Sequence, residues 1–266
     1  MNRIDATFAK LAEANQSAFI AYVCAGDPTL DATPVIADAL IEAGTDLLEL
    51  GVPFSDPMAD GTVNQQASER ALAAGATVGG VFDAVRKIRE KHDTPIVLYA
   101  YMNPTCNYGF ERFIADATAA GVDGLLLLDL PPEEQAASPE FSSCGDLKMI
   151  RLIAPTSGKE RIAKIAEQAE GFIYYVSHEG VTGAREELAA DLETQVESIK
   201  SVASVPVVVG FGISKPEQSA AVAKVADGVI VGSAIVKKVA ELGDSPELAD
   251  GIRDLVAPLA AATKSA

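Results

Sequence analysis

Eight short, continuously apolar runs punctuate the chain, at 18–23, 47–52, 96–102, 124–128, 149–154, 172–176, 205–209 and 228–231. Runs this short and this uniformly apolar suit strands buried on both faces, as in a parallel sheet. Between them the apolar residues switch to helical spacing. Val35, Ile36, Ala39, Leu40 and Ala43 share one face, as do Val81, Phe82, Val85 and Ile88. Phe110, Phe113, Ile114 and Ala117 repeat the pattern, followed by Ile162, Ile165, Ala166 and Ala169. Thr33-Pro34 and Ser245-Pro246 each set a capping residue before a first-turn proline, and Ser157…Glu160 and Ser214…Glu217 read as capping boxes.

Strict alternation of strand and helix leaves two architectures, a closed barrel and an open doubly wound sheet. Eight strands favour the α/β class in its (β/α)8 TIM-barrel form, and no G-x-G-x-x-G follows the first run, as a dinucleotide-binding open sheet requires. A single barrel needs ~250 residues. Residues 1–266 are therefore expected to form one barrel domain. Two additions are predicted: an extra N-terminal helix carrying Ile4, Phe8 and Leu11 over the barrel bottom, and an inserted loop with more than one helix after strand two. The alanine-rich tail after Leu259 is expected to fray.

A net charge of −17 argues against nucleic acid and anionic membrane surfaces as partners, since both demand a basic footprint. No apolar run approaches the ~20 residues of a membrane-spanning helix. The N-terminus has neither an apolar signal core nor a transit pattern. Three cysteines (Cys24, Cys106 and Cys144) at wide spacing with no C-x-x-C point away from a disulfide framework or zinc site and toward a reducing, cytoplasmic setting. No metal site is expected, and the cysteines read as small, mostly buried apolar residues.

A barrel gathers its chemistry at the C-terminal ends of its strands. Within Leu47-Leu48-Glu49-Leu50-Gly51, alternation sends Leu48 and Leu50 to the outer face and Glu49 into the lumen. Desolvation there raises the pKa of a carboxylate, which suits a general acid/base near neutral pH; a structural ion pair across the barrel is the alternative. Asp60, in the Pro/Gly-punctuated loop after the same strand, can reach the barrel mouth and accept a substrate N–H. Asp56 lies in that loop too, and local pattern alone also accommodates both as turn residues. The glycines after strands six to eight form a second constellation. Gly210-x-Gly212 lets the backbone approach a ligand, Gly232-Ser233 opens a helix whose free N–H groups favour an anion, and Gly183 can contribute from the loop after strand six. Backbone donors would let so acidic a chain hold phosphate without a lysine cluster. His92 reads as a surface residue, His178 falls in a candidate lid loop, and Arg151 is expected to pair with a carboxylate in the lumen or at a barrel end.

Leu48-Glu49-Leu50-Gly51-Val52-Pro53-Phe54-Ser55-Asp56-Pro57-Met58-Ala59-Asp60-Gly61 resembles the signature of the tryptophan synthase α-subunit family. Gly180-Val181-Thr182-Gly183, Gly210-Phe211-Gly212-Ile213, Gly232-Ser233-Ala234 and the stretch from Tyr99 to Asn103-Pro104 follow in the family's order, so the resemblance covers nearly the whole chain. It implies retro-aldol cleavage of indole-3-glycerol phosphate to indole and glyceraldehyde 3-phosphate. On that resemblance, Glu49 is the proton-transfer group at indole C3 and Asp60 holds the indole N–H. Tyr174 lines the site, Thr182 orders a lid over Asp60, and Gly183, Gly212, Gly232 and Ser233 bind phosphate. Tyr22 stands where phenylalanine is common, which makes the pocket wall more polar. The resemblance further implies a β-subunit partner in an α2β2 complex, docked near 53–58 and 104–109. Pyridoxal phosphate belongs to that partner, and no cofactor to this chain.

Three rivals remain at the level of sequence. A stand-alone indole-3-glycerol-phosphate lyase would use the same site without a partner. A sugar-phosphate isomerase or aldolase barrel is the second, but a Schiff-base aldolase needs a lumen lysine, and Lys148 lies at the wrong end of strand five. A non-catalytic activating subunit is the third, disfavoured by an intact Glu49 and Asp60.

Overall fold

Nine strands, all parallel, carry the apolar runs in a computed structural model that describes residues 1–141, 144–177, 185–210 and 212–266. They are β1 (Ala18–Cys24), β2 (Leu47–Gly51), β3 (Ile96–Ala100), β4 (Gly124–Leu127), β5 (Lys148–Met149), β6 (Arg151–Ile153), β7 (Ile173–Val176), β8 (Val207–Gly210) and β9 (Gly228–Val231). Their order in the sheet is β5-β4-β3-β2-β1-β9-β8-β7-β6. The first strand thus pairs with both the second and the last. β5 and β6 are two ends of the fifth apolar run, parted by Ile150 alone. β5 pairs with β4, the Ile150 N–H donates to the Leu125 carbonyl at 3.0 Å, and β6 pairs with β7. The nine pieces therefore make eight staves of a (β/α)8 barrel, with the fifth changing partner midway.

Alternation along each strand separates two cores. Phe19, Ala21 and Val23 of β1, Leu48 and Leu50 of β2, and Leu98 of β3 face the helix ring. Ala18, Ile20, Leu47, Val97, Leu126, Ile150, Phe172, Val208 and Ile230 fill the lumen. Ile4, Phe8 and Leu11 of α1 (Arg3–Glu13) join that lumen layer from below, with Phe8 packed 5.8 Å from Phe172 between ring centroids. The N-terminal helix does plug the barrel bottom. After β2 come two helices, α3 (Thr62–Ala73) and α4 (Val78–Arg89), as the long interval implied; α2 (Ala32–Glu42) joins β1 to β2.

The remaining helices are α5 (Met102–Tyr108), α6 (Phe110–Ala120), α7 (Pro132–Ala137), α8 (Lys159–Glu167), α9 (Arg185–Lys200), α10 (Pro216–Ala223), α11 (Ser233–Leu242) and α12 (Leu248–Lys264). Several local expectations shift. α2 begins at Ala32, because the Thr33 hydroxyl instead accepts the Gly26 N–H at 2.9 Å. α8 is capped by Gly158 with no side-chain bond, and α12 starts three residues beyond Ser245. The box expected at Ser214 does not form: the cap falls one residue later at Lys215, whose ammonium accepts nothing, and only Gln218 Oε1 reaches back, accepting the N–H groups of Ser214 and Lys215.

The tail does not fray. Leu259, Ala260 and Thr263 are buried, Thr263 meets Ser219 hydroxyl to hydroxyl at 2.9 Å, and Lys264 Nζ donates to Asp46 Oδ2 at 2.5 Å and to the Ser17 carbonyl at 3.0 Å. The apolar face of α12, packed on α2 and α10, supplies what alanine composition alone could not show.

Candidate functional site

Three lumen side chains sit above the Ile20–Leu47–Val97 layer: Tyr22 from β1, Glu49 from β2 and Tyr99 from β3. Registers place Tyr22 beside Glu49 and Gly51 beside Tyr99. Gly51 admits the Tyr22 ring, since a Cβ there would lie 2.5 Å from the Tyr22 hydroxyl. Across the barrel Gly210 does the same for Tyr174, whose hydroxyl would lie 2.6 Å from an added Cβ. Gly210 thus makes room for a tyrosine wall, a different use from the ligand approach its spacing suggested. These rings, with Glu49, Gly61, Thr62, Val63, Asn64, Gly212, Ile230, Gly232 and Ser233, line a cavity of about 310 Å³ at the C-terminal end of the strands.

Glu49 is 1% exposed, and its Oε1 has no hydrogen-bond partner. Burial, and secondly the charge of Asp60, push its carboxyl up to about 8. The ion pair across the barrel that sequence left open is absent among the described residues. Asp60 is half-buried at the cavity's edge, outside its wall. Tyr99 Oη donates to its Oδ1 at 2.7 Å and Tyr101 Oη to its Oδ2 at 2.9 Å. Burial raises the Asp60 carboxyl, and hydrogen bonds from Tyr99, Tyr101 and Asn64 oppose that rise. The Ala59 N–H donates to Tyr101 Oη at 3.0 Å, leaving the phenol proton for Asp60. Burial holds Tyr22, Tyr99 and Tyr174 well above the usual phenol range, so all three stay neutral donors.

Gly232 is the N-terminal flank of α11 and carries no side-chain cap, and Gly232 and Ser233 at that helix start line the cavity. Gly212, at φ +69°, stands on the same rim in a conformation that favours glycine. Among the described residues no lysine or arginine lines the cavity. Thr182 and Gly183, and with them His178, lie outside the described residues. Asp56 is exposed and bonds Ser55 Oγ at 2.5 Å, the behaviour of a turn residue. Tyr99, Tyr101 and Asn64 were not singled out for the site. The period-two alternation Val97, Tyr99, Tyr101 was a usable signal, because it continues the lumen face of β3 to the mouth.

Other groups fall elsewhere. Among the described residues Arg151 pairs with no carboxylate: it is 6% exposed on the outer face of β6 and hydrogen-bonds Gln135 Oε1, because its strand position points away from the lumen. His92 is partly covered and lies 2.9 Å from Asp38 Oδ1. Cys24 and Cys144 are buried, but Cys106 is exposed on α5. A larger, shallower cleft at the opposite barrel end, near Val205, Pro206 and Asp227, is remote from both site carboxylates. Among the described residues no group of three or more His, Cys, Asp or Glu could hold a metal, and no helix is long and apolar enough to cross a membrane.

Comparison with known proteins agrees over the whole barrel. The family model described as tryptophan synthase alpha chain matches residues 8–262. A tryptophan synthase alpha chain of Geobacter sulfurreducens is 55% identical over 240 residues, covering 89% of this chain and 90% of the relative. That of Geotalea uraniireducens is 49% identical over 269 residues, covering 100% and 99%. The crystal structure of tryptophan synthase subunit alpha from Legionella pneumophila str. Paris superposes with a TM-score of 0.88 at 39% identity, covering 99% of this chain and 98% of the other. A match that runs from the N-terminal plug to the terminal helix, at about half identity, leaves one assignment: the chain belongs to the tryptophan synthase alpha chain family.

Proposed function

We propose that this enzyme subunit is a carbon–carbon lyase that cleaves indole-3-glycerol phosphate into indole and glyceraldehyde 3-phosphate, with residues 1–266 acting as one barrel domain. The observation that carries the proposal is Glu49 Oε1, buried without a partner at the top of the lumen. A carboxyl so desolvated holds its proton at neutral pH. Glu49 gives that proton to indole C3, and the ring becomes an indolenine cation. The C3–glycerol carbon bond then breaks, its electron pair returns to the ring, and indole forms. The adjacent hydroxyl loses its proton to the Glu49 carboxylate as the aldehyde forms, which restores the acid. Asp60 accepts the indole N–H and stabilises the cation.

Tyr22 and Tyr174 flank the substrate. The amides at Gly212, Gly232 and Ser233, with Gly183, hold the phosphate, and Thr182 orders the lid. Backbone donors suit a cavity wall whose described residues include no lysine or arginine. No described wall residue is a lysine that could form a Schiff base, which disfavours the aldolase reading. Lys148 pairs with Asp5 at 3.2 Å at the barrel bottom. The subunit works in the cytoplasm with a β subunit as α2β2, and pyridoxal phosphate resides on that partner.

Release of glyceraldehyde 3-phosphate from indole-3-glycerol phosphate, measured with and without a β subunit, tests the proposal. Slow cleavage alone and strong acceleration by the partner are expected. Fast cleavage indifferent to the partner would mean a stand-alone lyase, and no cleavage in either case would overturn the reaction.

A further inference from the structure

Two carboxylates stand at one end of the cavity, Glu49 in its wall and Asp60 at its edge, and they differ in the donors that reach them. Glu49 has no donor on Oε1, whereas each oxygen of Asp60 accepts a phenol proton. The two phenols are not equivalent. Tyr101 is oriented through the Ala59 N–H of the same loop as Asp60. Tyr99 has no such tie; its ring is held edge-on to Tyr22, with centroids 5.0 Å apart, and it forms part of the cavity wall. Tyr99 is thus the one phenol that links the Asp60 carboxylate directly to the substrate cavity, beside the Asn64 amide, which also bonds Asp60 from the cavity wall.

Resting on the function proposed above, we propose that Tyr99 is a positioning residue: its hydroxyl fixes the Asp60 carboxylate as the anionic member of the pair and so leaves the transferable proton on Glu49. Among the described residues, the titratable groups around Asp60 are Glu49 from β2, Tyr22 and Cys24 from β1, Tyr99 and Tyr101 along β3, and Tyr174 from β7. The phenols and the Cys24 thiol are neutral through burial, and no salt bridge reaches Asp60 among the described residues. Hydrogen bonds alone therefore hold its charge. A hydrogen bond to a charged group is about twice as strong as a neutral one, so removing the Tyr99 donor raises the Asp60 carboxyl and narrows its separation from Glu49.

The test is Tyr99→Phe, which keeps the ring against Tyr22 and removes only the hydroxyl. Two readouts are needed: the pH profile of kcat/KM for cleavage, and a ¹³C-carboxyl NMR titration of Asp60 in the resting protein, assigned with Asp60→Asn. The acidic limb of the profile and the Asp60 midpoint should both move to higher pH, with kcat/KM below neutral pH falling about tenfold. The alkaline limb, set by Glu49, should hardly move. Placing 3-fluorotyrosine at 99, a stronger donor, should move the midpoint the other way, and this variant serves if the phenylalanine protein does not fold. A loss of activity equal at every pH with an unmoved Asp60 midpoint would overturn the role, as would no change at all. The NMR arm needs no substrate, so a wild-type protein that fails to cleave indole-3-glycerol phosphate would count against the reaction and leave the Tyr99 result standing.

Discussion

Asp123 and Glu49 are buried carboxylates at opposite ends of one barrel, and they are treated in opposite ways. Asp123, 4% exposed just before β4, accepts Arg3 Nη1 at 2.9 Å, Arg89 Nη2 at 2.6 Å and the Ile96 N–H at 2.9 Å. Each of its oxygens is satisfied, and the charge ties α1, α4 and β3 together. Glu49, 1% exposed, has an oxygen with no partner at all. An unpaired buried carboxyl costs stability, which a structural role would not require. The bottom of the barrel uses its acid as a fastener, and the top keeps one in reserve for chemistry.

The sharpest way to break this contrast is Glu49→Gln. Cleavage should fall roughly 10²–10⁴-fold, the range of a lost general acid, while inorganic phosphate still binds. The same variant has a stability signature of definite sign. The Glu49 carboxyl titrates near 8 in the folded protein against 4.5 in the unfolded chain. Between those values the unfolded state has shed a proton that the native state retains, so native stability falls as pH rises through this window and levels off above it. Urea unfolding at pH 5, 7 and 9 should therefore show the glutamine protein gaining on wild type with pH. A difference that ignores pH would mean that Glu49 is not held protonated.

Asp123→Ala should do the reverse. Leaving two guanidinium groups without their carboxylate should cost about 3–5 kcal/mol in urea unfolding, with kcat/KM per folded molecule unchanged. A loss of activity without a loss of stability would collapse the distinction between the two ends. Lys264→Met probes the bottom more gently. Removing its bonds to Asp46 and Ser17 should cost about 1 kcal/mol and expose the end of α12 to carboxypeptidase. A tail that frayed in wild type would give no change in either measurement.

Much of this was legible beforehand for a physical reason. A barrel strand is buried on both faces, so its apolar run is unbroken, and a charged residue within it is conspicuous; Glu49 interrupts such a run. Asp60 and Gly232 stood out because strand ends in this fold face one mouth. Tyr99 and Tyr101 were less visible, since aromatic residues are ordinary in strands and nothing local says that a hydroxyl will meet an acid 39 residues earlier. Arg151 misled for the complementary reason: its charge suggested a carboxylate partner, but strand parity turned it outward to Gln135.

Strand count, strand–helix order, the plugging helix and the lumen-facing parity of Glu49 were determined by the sequence alone, because each depends on periodicity within a short stretch. The split fifth stave, the ordered terminal helix and the pairing of Asp60 with two phenols were decided only in the tertiary structure. Those features depend on which surfaces meet once the barrel closes, and contact between distant segments leaves no period in the chain that makes it.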